Sequence, residues 1–262
     1  MGIKMVAPQT ITFEHPLNER IRTFLRTEHL FQLAKYRLNH MNSPWDSRDC
    51  VITIIDLYAL IERTELRSEL FKEIERHINN FQRLANTPSV DHRALEKIVG
   101  ELEMSSERLM NFPSKQGLFP LECELLNSVR QRLMIPEGTC GFDIPAFHYW
   151  SNSSERNKQA LILQCLEQLE PLEKTLQLVM SLTRQSKTGL RAVAEGGTFQ
   201  KSLSTQGTSQ LIRVHLRSDI GVFPEISANK MRVNIRFLMA SENAKSTLAT
   251  LDVPFEMECC AI

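Results

Sequence analysis

The sequence predicts an α+β protein: an N-terminal all-helical domain followed by a C-terminal antiparallel β domain that also includes the N-terminal strand. Apolar residues recur at helical spacing from Leu17 to about Ser186, and the spacing then changes to the period of two that is typical of strands. A separate alternating segment, residues 10–14, precedes the first helix and has no strand neighbour nearby in sequence. We therefore expect it to join the C-terminal sheet. The predicted domains are 17–186 for the helices and 1–16 plus 187–262 for the β domain.

The first three helices are predicted from apolar stripes. Apolar residues seven apart run from Leu17 to Leu38, with Pro16 and Asn18 as start signals. Asp46 is expected to cap a second helix, and a third begins near Thr64. The third helix has apolar residues on one side and a mixed-charge face, predicted to be solvated, on the other. Its apolar stripe is Leu66, Leu70, Ile74, Ile78 and Phe81, and its charged face is Glu69, Lys72, Glu73 and Arg76.

Three further helices follow. A shorter one passes through Leu95 and Leu102, and another runs from about Pro120 through Leu133. Ser153 or Ser154 opens a long final helix. Pro171 is expected to kink or divide that helix, because proline lacks the amide donor and clashes with the preceding turn.

Beyond residue 186, three segments alternate in a way that predicts a half-buried antiparallel sheet. Their apolar positions are Ile212, Val214 and Leu216; Met231, Val233, Ile235 and Phe237; and Val253, Phe255, Met257 and Cys259. The intervening positions are Arg213, His215 and Arg217 in the first segment, Arg232, Asn234 and Arg236 in the second, and Pro254, Glu256 and Glu258 in the third. Basic and acidic side chains of neighbouring strands are therefore expected to form cross-strand ion pairs on the solvent-exposed face of the sheet.

The composition excludes several functional classes. The 262 residues hold 31 Lys and Arg against 31 Asp and Glu, whereas broad nucleic-acid binding usually needs a basic excess. The sequence shows no apolar run of about 18 residues and no secretory signal. We therefore expect a cytoplasmic protein with no nucleic-acid partner and no direct membrane insertion.

No catalytic or metal-binding motif is recognisable in the sequence. It lacks the nucleophile elbow, the His-Glu-x-x-His pair, the Walker loop and the dinucleotide-binding glycines. Residues 194–198 contain Gly196 and Gly197 but not the Gly-Lys-Ser/Thr ending of a phosphate loop, so a plain linker is expected. The six scattered cysteines are interpreted as buried apolar fillers. We expect a protein that is not an enzyme and that has no cofactor or metal.

Local basic stripes are the most informative polar feature. Arg22, Arg26 and His29 share one face of the first helix, and further cations occur at Arg63 and Arg67 and at Arg130 and Arg132. Arginine suits the recognition of an acidic peptide, because its planar fork can bind a carboxylate at two points. A solvated charged face with internal Glu partners is the alternative.

Several strings in the chain resemble the ZapD (formerly YacF) family of bacterial division factors. They occur in the family's order from the first strand to the last. The strings are Phe13-Glu14-His15-Pro16-Leu17-Asn18-Glu19, Arg22-Thr23, Leu25-Arg26, Arg130-Gln131-Arg132-Leu133, Ile135-Pro136, Cys140, Phe142-Asp143, Pro145, His148, Trp150, Arg184-Gln185-Ser186, Arg236-Phe237 and Phe255-Glu256-Met257-Glu258-Cys259-Cys260.

The resemblance implies a function and a set of site residues. ZapD proteins form homodimers that bind the C-terminal tail of the tubulin-like protein FtsZ and cross-link its filaments in the mid-cell division ring. The family's tail-binding surface corresponds to Arg26 and His148, and further to Arg22, Arg63, Arg130 and Arg132. Glu124 stands where that surface would carry a basic residue, which implies different peptide contacts there. The dimer is expected to bury helical-domain surface, because several helices carry wide apolar stripes.

Two other functional classes stay open at this point. A small-molecule enzyme would use a dispersed interdomain site with His148 and Asp143 as acid and base. A nucleic-acid adaptor would use arginines of the sheet, namely Arg213, Arg217, Arg232 and Arg236. The segment 143–147 also resembles the Asp-Ile-Pro-Ala-Phe core of FtsZ tails. We interpret it as a helix start, with Asp143 capping and Pro145 in the first turn.

Overall fold

The computed structural model describes residues 9–85, 90–113, 122–203, 209–229, 231–240 and 245–261, and it confirms the α+β class. Two compact units are present: Thr23–Val179, and Met1–Arg22 together with Met180–Ile262. The helices within the described residues are α1 Glu19–Leu38, α2 Pro44–Arg63, α3 Leu66–Leu84, α4 His92–Met110, α5 Glu124–Arg132, α6 Pro145–Ser151 and α7 Glu155–Gln185. The strands are β1 Thr10–Pro16, β2 Lys187–Ala194, β3 Thr198–Ser202, β4 Ser209–Arg217, β5 Val222–Ala228, β6 Arg232–Met239, β7 Thr247–Leu248 and β8 Val253–Ala261.

The helical unit is built on the apolar stripes of α1, α2 and α7. Phe24 and Phe31 of α1 are buried, as the seven-residue spacing predicts. α2 and α7 also have buried faces, and the Tyr58 hydroxyl of α2 donates a 2.7 Å hydrogen bond to the Cys165 carbonyl of α7. Burial of side chains of this size supplies the main driving force for folding the unit.

The start of α2 differs in detail from the prediction, because Ser43 and not Asp46 is the N-cap. The Ser43 hydroxyl accepts from the Asp46 amide at 3.2 Å, and the Asp46 carboxylate accepts from the Ser43 amide at 2.9 Å. The two residues form a reciprocal capping box with Pro44 in the first turn. Asp46 therefore stabilises the helix from its third position.

The later helices differ from the prediction in the length of α4 and in the undivided course of α7. α4 has 19 residues, the same length as α3, and is not the shorter helix expected. α5 begins at Glu124, and the expected start near Pro120 lies outside the described residues. α7 is undivided over its 31 residues and passes through Pro171. Its long buried side, which includes Leu169 and Leu172, outweighs the loss of one amide donor at the proline.

The charged face predicted for α3 is not entirely solvated. Glu69 and Lys72 do form an exposed ion pair, but Glu73 is fully buried and lies 3.4 Å from the Arg76 guanidinium. His77, one turn beyond Glu73, is 2% exposed and stacks on Phe81. Helical periodicity identifies the apolar stripe but does not show how wide the covered face becomes once α4 packs on α3.

We expect His77 to make the stability of the protein depend on pH between about 6.5 and 4. Burial, together with the charge of Arg76, lowers the pKa of His77 to about 4. Below pH 6.5 the His77 imidazole becomes protonated in the unfolded chain but stays neutral in the native chain. Acidification therefore lowers the free energy of unfolding. Between pH 7.5 and 5.5 this effect lowers the free energy of unfolding by roughly 1 kcal/mol.

Urea unfolding at these two pH values measures the effect. Over this interval, the free energy of unfolding of a His77→Gln variant should fall by roughly 1 kcal/mol less than that of the parent chain. His92→Gln, an exposed site on α4, is the matched control and should leave the pH dependence unchanged. Equal pH dependence of the His77→Gln variant and the parent chain would contradict the prediction.

The strands form two antiparallel sheets and not the single sheet predicted. The first has the order β1-β4-β8-β2, so that β1 joins the C-terminal strands as expected, with Phe13 opposite Val214. The second has the order β3-β6-β5, and β7 pairs with β6. Side chains from both sheets share one core, in which the Phe255 ring lies 5.0 Å from the Phe237 ring and 5.1 Å from the Phe199 ring. Met231, predicted as part of a strand, is exposed just before β6.

The glycines at 196 and 197 form the turn between β2 and β3 and so pass the chain from one sheet to the other. Both have positive φ. A Cβ at Gly197 would lie 2.4 Å from the Ala249 carbonyl oxygen, so only glycine fits there. The expected plain linker is therefore a tight turn with a packing role.

The predicted pairing of acidic and basic columns is present on the first sheet, but part of it is buried. Glu14 of β1 binds Arg184 of α7 and Arg213 of β4, and Arg213 also donates to Glu258 of β8 at 2.7 Å. Glu258 further contacts Lys187 and His215. Burial alone would raise the pKa of Glu258, but hydrogen bonds from Lys187 and His215 and the charges around it hold that pKa below its usual value.

Among the described residues, no helix has the length and apolar character needed to cross a membrane. The described side chains also contain no group of three or more His, Cys, Asp or Glu that could hold a metal ion. All six cysteines are free thiols, of which Cys50, Cys165 and Cys260 are buried while Cys123, Cys140 and Cys259 are only partly covered. The buried-filler interpretation is therefore right for three of them.

Candidate functional site

Two of the predicted site residues, Arg26 and Arg63, come together at a groove between α1 and α2. The groove has a volume of about 560 Å³. Both arginines are exposed at its edge, and its floor is mainly aliphatic. Residues three and four apart on each helix face the same side, which is why these positions converge. The lining residues are Leu25, Arg26, His29, Leu30, Asp56, Ala59, Leu60 and Arg63.

The groove therefore combines cations with apolar surface. Asp56 is its acidic lining residue, and burial raises the pKa of Asp56, although the charge of Arg37 acts in the opposite direction. Among the described residues, no carboxylate forms an ion pair with Arg63 within 4.0 Å. Arg22, the other predicted cation of α1, is not a lining residue and is paired with Glu19 at 3.1 Å.

The two arginines near the end of α5 contact neighbouring elements. Arg130 reaches Glu62 of α2 at 3.4 Å, directly beside Arg63 in sequence. Arg132 donates to the Asp143 carboxylate in the segment before α6 at 2.8 Å. These contacts connect α5 with the C-terminal end of α2 and with the segment that precedes α6. Glu124, where the resemblance implied a cation, is exposed in the first turn of α5, where a carboxylate suits the positive end of the helix dipole.

His148 lines a second cavity, of about 360 Å³, between the start of α2 and the segment around α6. Trp45, which is 74% exposed, stands at this cavity, and Phe147 is buried in its wall. Gly141 lets the chain pass close to the imidazole, because a Cβ there would lie 3.0 Å from the ring of His148. The lining residues are Pro44, Trp45, Arg48, Glu137, Thr139, Cys140, Gly141, Phe147, His148, Ser151 and Asn152.

Arg48 is positioned at this cavity by its neighbours. Its Nε donates to the Thr139 hydroxyl at 2.8 Å, and its Nη1 is 3.8 Å from Asp49. Arg48 and His148 thus place two basic side chains around an aromatic wall, with Glu137 as the acidic member of the lining. Such a cavity can accept an apolar side chain that has a carboxylate close by.

Sequence reasoning missed Trp45 and Arg48. Trp45 lies in the first turn of α2, off the buried stripe that contains Cys50, Ile54 and Leu57. A single exposed aromatic residue is common on protein surfaces, so the sequence gives only a weak signal, and its place at the cavity is what distinguishes Trp45. Arg48 has no such signal, because its role depends on the contact with Thr139, 91 residues away.

The geometry does not favour the enzyme alternative. His148 lines the second cavity, but Asp143 is not among its lining residues and is held by Arg132. An acid and base pair would need both side chains to converge on one space. The expected capping by Asp143 is also wrong, because Ile144 occupies the N-cap position of α6.

The arginines of the nucleic-acid alternative do not form one surface. Arg213 and Arg217 lie on β4 of the first sheet, whereas Arg232 and Arg236 lie on β6 of the second. Arg213 forms ion pairs with Glu14 and Glu258. Arg217 pairs with Asp219, and Arg236 pairs with Glu225. This internal pairing leaves little net positive charge for a phosphate backbone.

The described residues thus define an α+β protein whose distinctive surface is a basic, concave and partly apolar region of the helical unit. The family model of the cell division protein ZapD matches residues 25–236. The chain therefore belongs to the ZapD family of cell division proteins.

Relatives named cell division protein ZapD agree along nearly the whole chain. The protein of Methylococcus capsulatus is 34% identical over 252 residues, which cover 96% of this chain and 98% of that relative. The protein of Aromatoleum aromaticum is 33% identical over 258 residues, covering 98% of this chain and all of the relative. The protein of Ralstonia pickettii is 34% identical over 251 residues, covering 95% and 99%.

Proposed function

We propose that the protein is a non-enzymatic division factor that binds the C-terminal tail of FtsZ and, as a homodimer, cross-links FtsZ filaments. The observation that carries the proposal is the pairing of concave apolar surface with basic side chains at two places on the helical unit. One is the α1–α2 groove with Arg26 and Arg63, and the other is the cavity with Arg48 and His148.

The chemistry of these two places suits a short peptide that carries both carboxylates and apolar side chains. Arginine binds a carboxylate with charge-assisted hydrogen bonds, and the apolar floor can bury an aliphatic or aromatic residue of the peptide. A surface made only of cations would attract any polyanion. The apolar lining adds selectivity, because it favours partners that carry an apolar side chain next to their carboxylates.

Both places lie along α2, and this sets the length of peptide that can reach them together. Arg48 and Arg63 are fifteen residues apart on that helix, or about 22 Å at about 1.5 Å rise per residue. An extended peptide covers that distance with about seven residues, at about 3.3 Å each. Arg130 and Arg132 of α5 are positioned by contacts with Glu62 of α2 and with Asp143.

Cross-linking requires two such surfaces on one particle. A homodimer supplies them, since each copy can hold a tail from a different filament. Binding to FtsZ would in turn place the protein at the mid-cell division ring, in the cytoplasm. No chemical step is needed for this role.

Co-sedimentation with polymerised FtsZ tests the proposal. At low salt we expect the purified protein to pellet with the filaments and to bundle them, as seen by electron microscopy. Added salt should weaken binding steadily, because exposed charge contacts are screened over about 8 to 10 Å near physiological ionic strength. Light scattering should give a dimer at micromolar concentration. Protein that stays in the supernatant while filaments remain single would contradict the proposal.

A further inference from the structure

We propose that Asp143 is an internal competitor for the partner's carboxylates: it occupies Arg132 in the free protein and is displaced when the tail binds. This inference rests on the proposed function, because it assigns the regulation of the same surface. Arg132 is one of the cations predicted to bind the tail, and its guanidinium already holds a carboxylate in the structure.

Asp143 is placed where it can compete and then leave. Its carboxylate does not cap α6, whose N-cap is Ile144. The hydrogen bond recorded for that carboxylate within the described residues is the one from Arg132, while the Asp143 backbone amide is bound separately to the Cys140 carbonyl at 3.0 Å. Losing the ion pair therefore removes a side-chain contact but leaves the backbone turn before α6 in place.

The pair is also of a kind that another carboxylate can replace. It consists of one contact, Nη1 to Oδ1 at 2.8 Å, whereas an arginine can bind a carboxylate through two parallel hydrogen bonds. The Arg132 side chain is 43% exposed and that of Asp143 is 27% exposed, so water already competes with the contact. A peptide carboxylate that binds Arg132 at two points would form the stronger pair.

Arg130 and Glu62 repeat the arrangement two residues earlier. Their contact is longer, at 3.4 Å, and the exposed fractions of the two side chains are 43% and 27%. Both cations near the end of α5 are therefore neutralised before any partner arrives. We expect this arrangement to make binding selective. An anion that contacts one arginine weakly does not release enough binding free energy to displace an internal carboxylate, whereas a peptide that aligns several carboxylates with the arginines does.

The decisive experiment is an anisotropy titration with a fluorescein-labelled synthetic peptide of the FtsZ C-terminal tail at low salt. Asp143→Asn keeps the shape of the side chain but removes its charge, and we expect about threefold tighter binding, the range of an exposed ion pair. Arg132→Gln should bind more weakly than the parent chain. Adding Asp143→Asn to Arg132→Gln should bring no gain, because the cation for which Asp143 competes is gone.

Matched controls separate competition from general charge effects. Glu225→Gln removes the carboxylate on β5 that forms an exposed pair with Arg236 on β6, and it should leave peptide affinity unchanged. Asp143→Ser provides a second neutral variant with a different side chain and should bind as tightly as Asp143→Asn. Circular dichroism melts establish that each variant is folded.

The outcomes distinguish the two proposals. If the parent chain binds no peptide, both the proposed function and the internal competitor are overturned. If the parent chain binds and the two neutral variants at 143 bind equally or more weakly, the competitor alone is overturned. If Asp143→Asn increases peptide affinity as much in the Arg132→Gln variant as in the parent chain, the competitor is also overturned. Asp143 would then act on the peptide directly and not through Arg132.

Discussion

Under the proposed function, Arg26→Glu is expected to weaken binding of the FtsZ tail at least about tenfold at each site and to abolish filament bundling, while the fold is retained. Arg26 is exposed on α1, and Ile21, Phe24 and Phe31 of the same helix are buried on another face. The substitution therefore changes the charge at the edge of the α1–α2 groove without opening the core. Replacing attraction by repulsion at a charge-assisted contact costs on the order of 2 kcal/mol.

Bundling should suffer more than single-tail affinity, because a cross-link needs both sites of a dimer to be occupied. Peptide anisotropy measures the first quantity, and co-sedimentation at low centrifugal force measures the second. Arg93→Glu is the matched control, since it makes the same charge change at an exposed position of α4 that lines neither cavity. A folded Arg26→Glu variant that bundles as well as Arg93→Glu would show that the arginines of α1 are only a solvated face.

Glu14→Ala is expected to lower the free energy of unfolding by about 2 to 3 kcal/mol, the largest single-residue effect on stability that we predict. The carboxylate accepts two hydrogen bonds from Arg184 at 2.9 Å and one from Arg213 at 3.0 Å. These side chains are between 20% and 24% exposed, so removing Glu14 takes the shared carboxylate away from two partly buried cations, although Arg213 keeps its contact with Glu258. The loss is smaller than for a fully buried pair, because water reaches the cluster.

The same contact predicts a pH dependence of known sign. Burial would raise the pKa of Glu14, but Arg184 and Arg213 outweigh burial and hold that pKa below its ordinary value. A lowered carboxyl pKa stabilises the native state above pH 4.5, and this stabilisation is lost as the pH falls through the native pKa. The stability difference between the parent chain and Glu14→Gln should therefore shrink on acidification.

Urea unfolding followed by circular dichroism measures both effects. Glu256→Ala is the control, because Glu256 pairs with Arg191 in the same sheet at 3.3 Å but both side chains are largely exposed. Glu256→Ala should lower the free energy of unfolding by less than about 1 kcal/mol, as is usual for surface ion pairs. Equal losses in the two variants would show that the Glu14 cluster contributes no more than a surface pair.

The class of fold could be predicted from the sequence because it depends on local repetition. Apolar residues spaced at helical intervals over 17–186 can cover one side of a helix, and alternating residues can cover one face of a strand, whatever the partner is. The same reasoning identified β1, since a lone alternating segment such as 10–14 must find a sheet elsewhere in the chain. Its pairing with β4 confirms that step.

Details that depend on which elements pack together could not be read in this way. Glu73 carries the charge pattern of a solvated face, yet it is buried against the rest of the helical unit. The alternating strands gave no sign that they divide into two sheets, because period two is the same in one sheet or in two. The division follows from the turn at Gly196 and Gly197, where close approach to Ala249 is decided in three dimensions.

The candidate site shows the same division between local and non-local information. The sequence by itself determined which residue types are present on α1, α2 and α5, and hence that Arg26 and Arg63 are cations on exposed helical faces. Only the tertiary structure decided that these two share a groove, that Trp45 and Arg48 meet His148 at a cavity, and that Arg132 is already bound to Asp143. The physical reason is the sequence separation of the interacting residues. Helical periodicity depends on neighbours three and four residues away, whereas cavities and ion pairs between elements depend on how distant parts of the chain pack together.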